Sequence, residues 1–123
     1  MPLSVFEDQR RFMVAGDQTV SEYNKDQFDL YVRLIDEEFN DELKEAIAND
    51  DRVEQLDALI DILVVTIGAL HSLGVDAPGA WNEVVRSNKS KIDKKTGKVL
   101  KREDGKILKP ATYSPPNLEP FVK

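Results

Sequence analysis

A chain of 123 residues is long enough for one domain with one hydrophobic core, and its 41% hydrophobic and 33% charged residues are the balance of a folded soluble protein. The absence of cysteine excludes disulfides, thiolate metal sites and a thiol nucleophile. The longest apolar run, residues 62–67, is far shorter than the roughly 20 residues that span a membrane, and the N-terminus has no signal-peptide pattern. We therefore expect a cytoplasmic protein without a membrane partner.

The net charge of −6 is unevenly distributed along the chain. Residues 1–80 hold 18 acidic and 6 basic side chains, whereas residues 81–123 hold 5 acidic and 11 basic ones. A basic tail alone would suggest nucleic acid, but beside an acidic helical body it indicates a ligand that is both metal-bound and anionic, such as a nucleoside polyphosphate. Two solvated charged faces without a ligand are the alternative.

The N-terminal half is predicted to contain two helices. The first runs from Leu3 to about Ala15 and can be capped by Ser4. The second runs over about residues 26–48, because apolar residues recur there at spacings of three and four: Phe28, Val32, Ile35, Phe39, Leu43 and Ala46.

A third helix over about residues 52–73 is apolar nearly all the way round, which places it in the centre of a bundle or at a subunit interface. Gly74 is its stop signal. Asp76 can cap a shorter fourth helix that carries Trp81. Four helices with short links indicate an all-α, four-helix-bundle-like fold.

From Lys89 onwards the pattern changes from helical to extended. Residues 98–101 and 106–109 flank a glycine-containing loop, which predicts a small β-hairpin, and residues 113–118 read as an extended arm. We therefore expect a helical metal-binding body over residues 1–88 and a basic hairpin and arm over residues 89–123, within a single domain.

The acidic residues of the second helix are sorted by their position on the helical wheel. Glu38 and Glu42 border the apolar stripe, Asp41 does so less closely, and Glu37 lies almost opposite. Acids that border a buried face are better candidates for a site than acids that point into solvent.

The third helix gives a sharper signal, because Asp57 and Asp61 lie one turn apart in an otherwise apolar stretch, with Glu54 one turn earlier. Unpaired buried carboxylates are costly, so a compensating cation is needed. Mg²⁺ favours carboxylate oxygens together with substrate phosphates. The alternative is a structural role in which these aspartates pair with Arg33 or with a backbone N–H.

Two acidic runs, LIDEEFNDEL at residues 34–43 and EQLDALIDILVV at residues 54–65, resemble the EExxE and ExxD helices of the all-α nucleoside triphosphate pyrophosphohydrolases. That superfamily includes MazG-like proteins, dimeric dUTPases and phosphoribosyl-ATP pyrophosphohydrolase. The run RSNKSK at residues 86–91 and the later REDGK at residues 102–106 are similar to the tail of the phosphoribosyl-ATP pyrophosphohydrolase-like branch. The likeness covers roughly residues 28–118.

The resemblance implies a MazG-type fold and Mg²⁺ as cofactor, with Mn²⁺ as a substitute. By position it implies these metal ligands: Glu38, Asp41, Glu42, Glu54, Asp57 and Asp61. Glu37, Glu38 and Asp41 match EExxE, with aspartate in place of the last glutamate. A second register of the match stays open, in which Glu38 and Glu42 are the matching acids and Leu43 follows them. Glu37 or Glu38 would act in catalysis by orienting or deprotonating the attacking water.

The implied reaction cleaves between the α- and β-phosphates of a (d)NTP and releases a (d)NMP and pyrophosphate, as in a house-cleaning enzyme. Substrate contacts are implied for four residues of the basic segment: Asn88, Lys91, Lys94 and Lys106. A phosphoribosyl-ATP pyrophosphohydrolase and a non-catalytic helical oligomer that binds a partner protein are the alternatives. We expect a homodimer or homotetramer, because one copy leaves the third helix poorly covered, and we expect no nucleic acid polymer as partner.

Overall fold

The structure is a computed structural model, and it describes residues 4–122. The chain divides into two compact units, Met1–Val75 and Asp76–Lys123, here called the N-terminal unit and the C-terminal unit. The described residues are mostly helical, which confirms the all-α class predicted from the sequence.

The first helix, α1, spans Val5–Ala15. Its cap is the one predicted from the sequence, because the side chain of Ser4 accepts a hydrogen bond of 3.1 Å from the backbone N–H of Glu7. Leu3, where the predicted helix began, lies outside the described residues.

The predicted second helix is built from three consecutive segments. It starts as α2, Lys25–Glu37, continues as a six-residue π-helix, Glu38–Leu43, and ends as α3, Lys44–Ala48. The buried residues Tyr31, Leu43 and Ala46 and the half-buried Glu38 all belong to this stretch. Glu38 and Leu43 are five residues apart, which matches the i→i+5 hydrogen bonds of a π-helix. Because Glu38 is half-buried and Leu43 is buried, the buried face continues across the π-helix.

Helix α4 spans Arg52–Leu73 and is capped by Asp51, whose carboxylate accepts from the backbone N–H of Glu54 at 3.1 Å. Gly74 ends it with a φ of 75°, a left-handed conformation that glycine adopts without strain. By length and composition alone α4 would suffice to cross a membrane, but the core helix of a soluble protein meets the same criterion. Only 28% of its most apolar 18-residue window is buried inside the chain.

The core of the N-terminal unit forms where α2 meets α4. Met13, Tyr31 and Ala69 are buried together, and the Tyr31 hydroxyl donates a hydrogen bond to the side chain of Gln18. The Tyr31 ring lies directly on Gly68 of α4, so closely that an added Cβ would lie 2.6 Å from Cδ1 of the ring. This close approach draws α2 onto α4 and so brings the π-helix against it.

His71 belongs to the structural interior of the N-terminal unit. Its side chain is buried, and Nε2 lies 2.8 Å from the backbone carbonyl oxygen of Phe6. This contact ties the end of α4 to α1.

In the C-terminal unit, α5 spans Ala77–Lys89, and the carboxylate of Asp76 caps it by accepting from Gly79 N–H at 3.0 Å. The extended arm then packs along this helix. Glu83 binds the backbone N–H of Asn117 at 2.7 Å, while Arg86 donates both to Glu83 and to the carbonyl oxygen of Pro115. A short 3₁₀ helix, Glu119–Phe121, closes the arm.

The predicted β-hairpin does not form, since no strand is present between Ser4 and Val122. Two isolated antiparallel bridges take its place, Ile92 with Val99 and Lys101 with Ile107. The second bridge has flanking backbone hydrogen bonds of 2.8 Å on either side, Arg102 to Lys106 and Leu108 to Leu100, but the pairing extends no further. An isolated pair of such short segments is too weak to build a regular sheet.

Candidate active site

The acidic residues singled out from the sequence lie on two packed elements of the N-terminal unit. Glu37 ends α2, and Glu38, Asp41 and Glu42 belong to the π-helix. The remaining three acids lie on α4: Glu54, Asp57 and Asp61. Asp61 is half-buried, but Asp57 is exposed, so the prediction that both aspartates are buried is wrong for Asp57. The π-helix and α4 are in contact, so acids from the two elements face a shared region.

Glu38 is the centre of this acidic group. Its side chain is half-buried, and its pKa is raised above the usual carboxyl value, first because burial disfavours the charged form and then because the negative charges of its neighbours do so too. Those neighbours are Asp61, Glu42, Asp57 and Glu37. We call these five residues the carboxylate cluster.

Nothing basic compensates the cluster within residues 4–122. The ion pairs formed there join Arg11 to Glu7, Lys25 to Asp29, Arg86 to Glu83 and Arg102 to Asp104, and none involves a cluster residue. In the same residues Arg33 forms no ion pair with Asp57 or Asp61, so the predicted structural pairing is not observed. No ion pair therefore offsets the negative charge of the cluster in this part of the chain.

The two registers of the EExxE match differ in their relation to Glu38. Both side chains are exposed, but Glu42 is one of the charges that raise the pKa of Glu38 and Asp41 is not among them. The helical wheel gives the same order, because it places Glu42 closer to the apolar stripe than Asp41.

A cavity of about 260 Å³ adjoins the cluster at the turn between α3 and α4. Its wall includes Glu42 and Glu54, and also two acids that the sequence analysis did not select, Glu45 and Asp51. Asp51 could have been found from its position just before α4, where an acidic residue is a frequent cap. No three Asp, Glu or His side chains of the described chain are arranged as a ready-made metal site.

The predicted substrate contacts lie in the C-terminal unit. Asn88 is exposed near the end of α5 and accepts a hydrogen bond of 3.1 Å from Nζ of Lys91. Lys94 and Lys106 are exposed in the segment that follows, and among residues 4–122 neither side chain forms a hydrogen bond with Asn88 or Lys91. The structure thus joins Asn88 to Lys91 and shows no such contact for the two other lysines in the described residues.

A mostly helical chain with acids on two contacting helical elements has the features of the all-α pyrophosphohydrolase class. The sequence model of the phosphoribosyl-ATP pyrophosphohydrolase family matches residues 9–88, about two thirds of the chain. The chain belongs to this family, which is part of the MazG-like all-α nucleoside triphosphate pyrophosphohydrolase superfamily. It is accordingly a pyrophosphohydrolase, a hydrolase that acts on acid anhydrides. A search of curated proteins finds no match to the chain.

Proposed function

We propose that the protein is a Mg²⁺-dependent nucleoside triphosphate pyrophosphohydrolase that converts (d)NTP to (d)NMP and pyrophosphate. The observation that carries the proposal is the half-buried Glu38, which is surrounded by four other carboxylates and has no basic partner within the described chain. Like charges placed close together repel one another, most strongly at the half-buried Glu38 and Asp61, and a bound cation relieves this repulsion. A house-cleaning role, the removal of unwanted nucleotides, fits this reaction.

The donor set suits Mg²⁺, or Mn²⁺ in its place. All the candidate ligands are carboxylate oxygens, and Mg²⁺ is held in proteins through one or two carboxylates, with water and substrate phosphate completing the shell. A ready-made cluster of three ligands is therefore not required. An ion bound by these carboxylates would neutralise the charge that develops on the phosphate oxygens.

The chain's own residues then divide into two roles. Asp57, Asp61, Glu38 and Glu42 hold the cation, with Glu54 and Asp41 as outer candidates. Glu37 or Glu38 orients or deprotonates the attacking water.

The basic segment would contact the substrate. Asn88 and Lys91 are the first candidates for phosphate or sugar contacts, because the hydrogen bond between them holds the lysine in place. Lys94 and Lys106 are weaker candidates, since each is exposed and has no such support.

Phosphoribosyl-ATP is the second candidate substrate, and the family match supports it equally. It carries the same triphosphate, and the same bond would be cleaved. The non-catalytic alternative loses its support, because the family to which the chain belongs consists of pyrophosphohydrolases.

We also propose that the protein is a homodimer or homotetramer. Helix α4 exposes a set of large apolar side chains, here called the exposed apolar face: Val53, Leu56, Leu59, Ile60, Leu63 and Val64. Exposed apolar surface of this extent favours association, and a second copy presents a complementary apolar helix. The same face next to charged Asp57 and Asp61 is poorly suited to lipid.

The substrate is tested by measuring pyrophosphate release from a panel of dNTPs, NTPs, modified nucleotides and phosphoribosyl-ATP in the presence of Mg²⁺. The proposal predicts that kcat/KM is highest for a dNTP or NTP. A kcat/KM that is highest for phosphoribosyl-ATP would assign the alternative substrate. If none of these compounds releases pyrophosphate, the proposal is wrong.

A further inference from the structure

A groove in the C-terminal unit combines apolar walls with basic and amide groups. Its volume is about 510 Å³, within the range of roughly 300–1,000 Å³ that is typical of sites for small molecules. Residues from α5 and from the following loop line it: Trp81, Val85, Asn88, Lys91, Val99 and Ile107.

The groove follows from the sequence spacing of α5. Trp81, Val85 and Asn88 lie four and then three residues apart, so they share one face of the helix. The two isolated bridges supply the facing wall, because one holds Val99 beside Ile92 and the other turns Ile107 back towards Lys101. The segment that fails to form a hairpin thus forms the second side of the groove.

Trp81 provides a large aromatic surface in this groove. Its side chain is 61% exposed, although tryptophan is usually highly buried. An exposed indole beside lysines is the arrangement on which nucleobases stack, and stacking tolerates any base because every base has a π-face.

Lys89 and Lys91 give the groove positive charge, and Lys109, which is not part of the lining, contacts the same tyrosine ring as Lys91. Nζ of Lys91 donates to Oδ1 of Asn88 at 3.1 Å and lies 5.7 Å from the ring centroid of Tyr113, while Nζ of Lys109 lies 5.0 Å from the same centroid. Neither lysine has a carboxylate partner within residues 4–122. Two ammonium groups held on one tyrosine ring attract an anion.

We propose that this groove binds a nucleotide, with the base stacked on Trp81 and a phosphate bound by Lys91. The apolar wall fits a base, the paired Asn88 and Lys91 fit phosphate or sugar oxygens, and the local positive charge complements the phosphate. The inference rests on the proposed function in one respect, namely that a nucleotide is the substrate, and it adds the residue that contacts the base.

Trp81 is the only tryptophan of the chain, so its fluorescence reports on the groove directly. Adenosine 5′-monophosphate is titrated into the full-length protein in EDTA, with adenosine and ribose 5-phosphate in parallel. The nucleotide should quench the fluorescence saturably, adenosine should do so with weaker affinity, and ribose 5-phosphate should leave it unchanged. Equal quenching by ribose 5-phosphate, or no quenching by the nucleotide, would overturn the proposal.

Three variants separate stacking from charge. Trp81→Ala should raise KM for the best substrate by about 5- to 150-fold, the range that stacking of one base supports, whereas Trp81→Phe should restore most of the affinity. Lys91→Gln should weaken quenching by the nucleotide but not by adenosine. Lys95→Gln, an exposed lysine outside the groove, is the matched control and should change neither. An unchanged KM in Trp81→Ala would contradict the assignment.

The outcome is distinguishable from a failure of the proposed function. Quenching by the nucleotide together with no pyrophosphate release would remove the function and keep the groove. Pyrophosphate release together with unchanged tryptophan fluorescence would keep the function and overturn the proposal for the groove. A fluorescence change that depends on protein concentration alone would identify Trp81 as a contact between copies and overturn the proposal.

Discussion

Glu38 lies in surroundings that disfavour its charge, and this is the physical basis of the candidate site. Burial and four neighbouring carboxylates raise its pKa, and no cation of the described chain offsets them. The sequence located this residue correctly beside the buried face from the wheel alone. The wheel also placed Glu42 nearer to the apolar stripe than Asp41, but it could not predict the π-helix in which both residues lie, because it assumes an ordinary α-helix.

Replacing Glu38 by glutamine should stabilise the protein when no divalent cation is present, because it removes the least favourable charge of the cluster. The melting temperature in EDTA at neutral pH should rise relative to the wild type, while the increase caused by Mg²⁺ should disappear. Activity should fall by about 10²–10⁴-fold if Glu38 transfers a proton. Differential scanning fluorimetry with and without Mg²⁺ measures the first two effects.

The control for this variant is Glu22→Gln, since Glu22 is an exposed acid in the same unit and outside the cluster. It should leave both the melting temperature and the Mg²⁺ response unchanged. If Glu38→Gln lowers the melting temperature in EDTA and keeps the full Mg²⁺ response, then Glu38 does not carry an unfavourable charge that a cation relieves.

The helices themselves were largely predictable, and the reasons are local. Ser4, Gly74 and Asp76 were identified from residue type alone, and each occupies the terminus assigned to it. The π-helix and the unformed hairpin were not predictable, because both depend on tertiary packing. One extra residue per turn is tolerated only because Leu43 is then returned to the buried face.

Deleting Asn40 should test the π-helix directly. The side chain is exposed, and its removal leaves Glu38 and Leu43 at an ordinary α-helical spacing. We expect folding with a loss of only about 1 kcal/mol and retained pyrophosphate release, because Glu37, Glu38 and Glu42 then read as EExxE. Deletion of Arg33, an exposed residue within α2, rotates all later positions and should prevent folding. Equal damage from both deletions would contradict the account.

The arm on α5 should loosen in acid. Hydrogen bonds from Arg86, and then from the backbone of Asn117, lower the pKa of Glu83 to about 2. A carboxylate whose pKa is lowered on folding stabilises the fold above its ordinary pKa of 4.5 and loses this effect as the pH falls towards 2. Amide hydrogen exchange should therefore show protection of the Asn117 N–H that declines across this pH range.

Glu83→Gln should lose that protection already at neutral pH, and the remaining protection factor of the Asn117 N–H, which is corrected for intrinsic exchange, should no longer change between pH 4.5 and 2. Asp104→Asn is the matched control, since the pKa of Asp104 is also lowered but by Arg102 in an exposed loop away from the arm. Protection of Asn117 that persists in Glu83→Gln would show that the arm is held by other contacts.

At the scale of the whole molecule, helix α4 presents two different surfaces, one acidic and one apolar. Its Asp57 and Asp61 serve the carboxylate cluster, while its exposed apolar face needs a cover that the described chain does not supply. The apolar pattern predicted an interface from the sequence, but it could not identify the partner, because composition does not distinguish a second copy from another apolar surface.

Leu63→Lys should separate the copies. Its side chain is 47% exposed on the apolar face, and a lysine in the middle of a self-association interface repels its counterpart or remains unpaired. Light scattering coupled to size exclusion should give a dimer or tetramer for the wild type and a smaller species for the variant. Leu118→Lys, an exposed leucine of the arm, is the control. A monomeric wild type that binds lipid vesicles would contradict the proposed self-association.

The most direct test of the central claim is pyrophosphate release from the best nucleotide of the panel, measured with Mg²⁺ and with EDTA, for the wild type and Asp61→Asn. Asp61 is half-buried, and among the neighbouring charges it has the largest effect on the pKa of Glu38. The account predicts release only with Mg²⁺, and a loss of about 100-fold or more in the variant. Full activity in EDTA, or an undiminished rate in a folded Asp61→Asn protein, would contradict it.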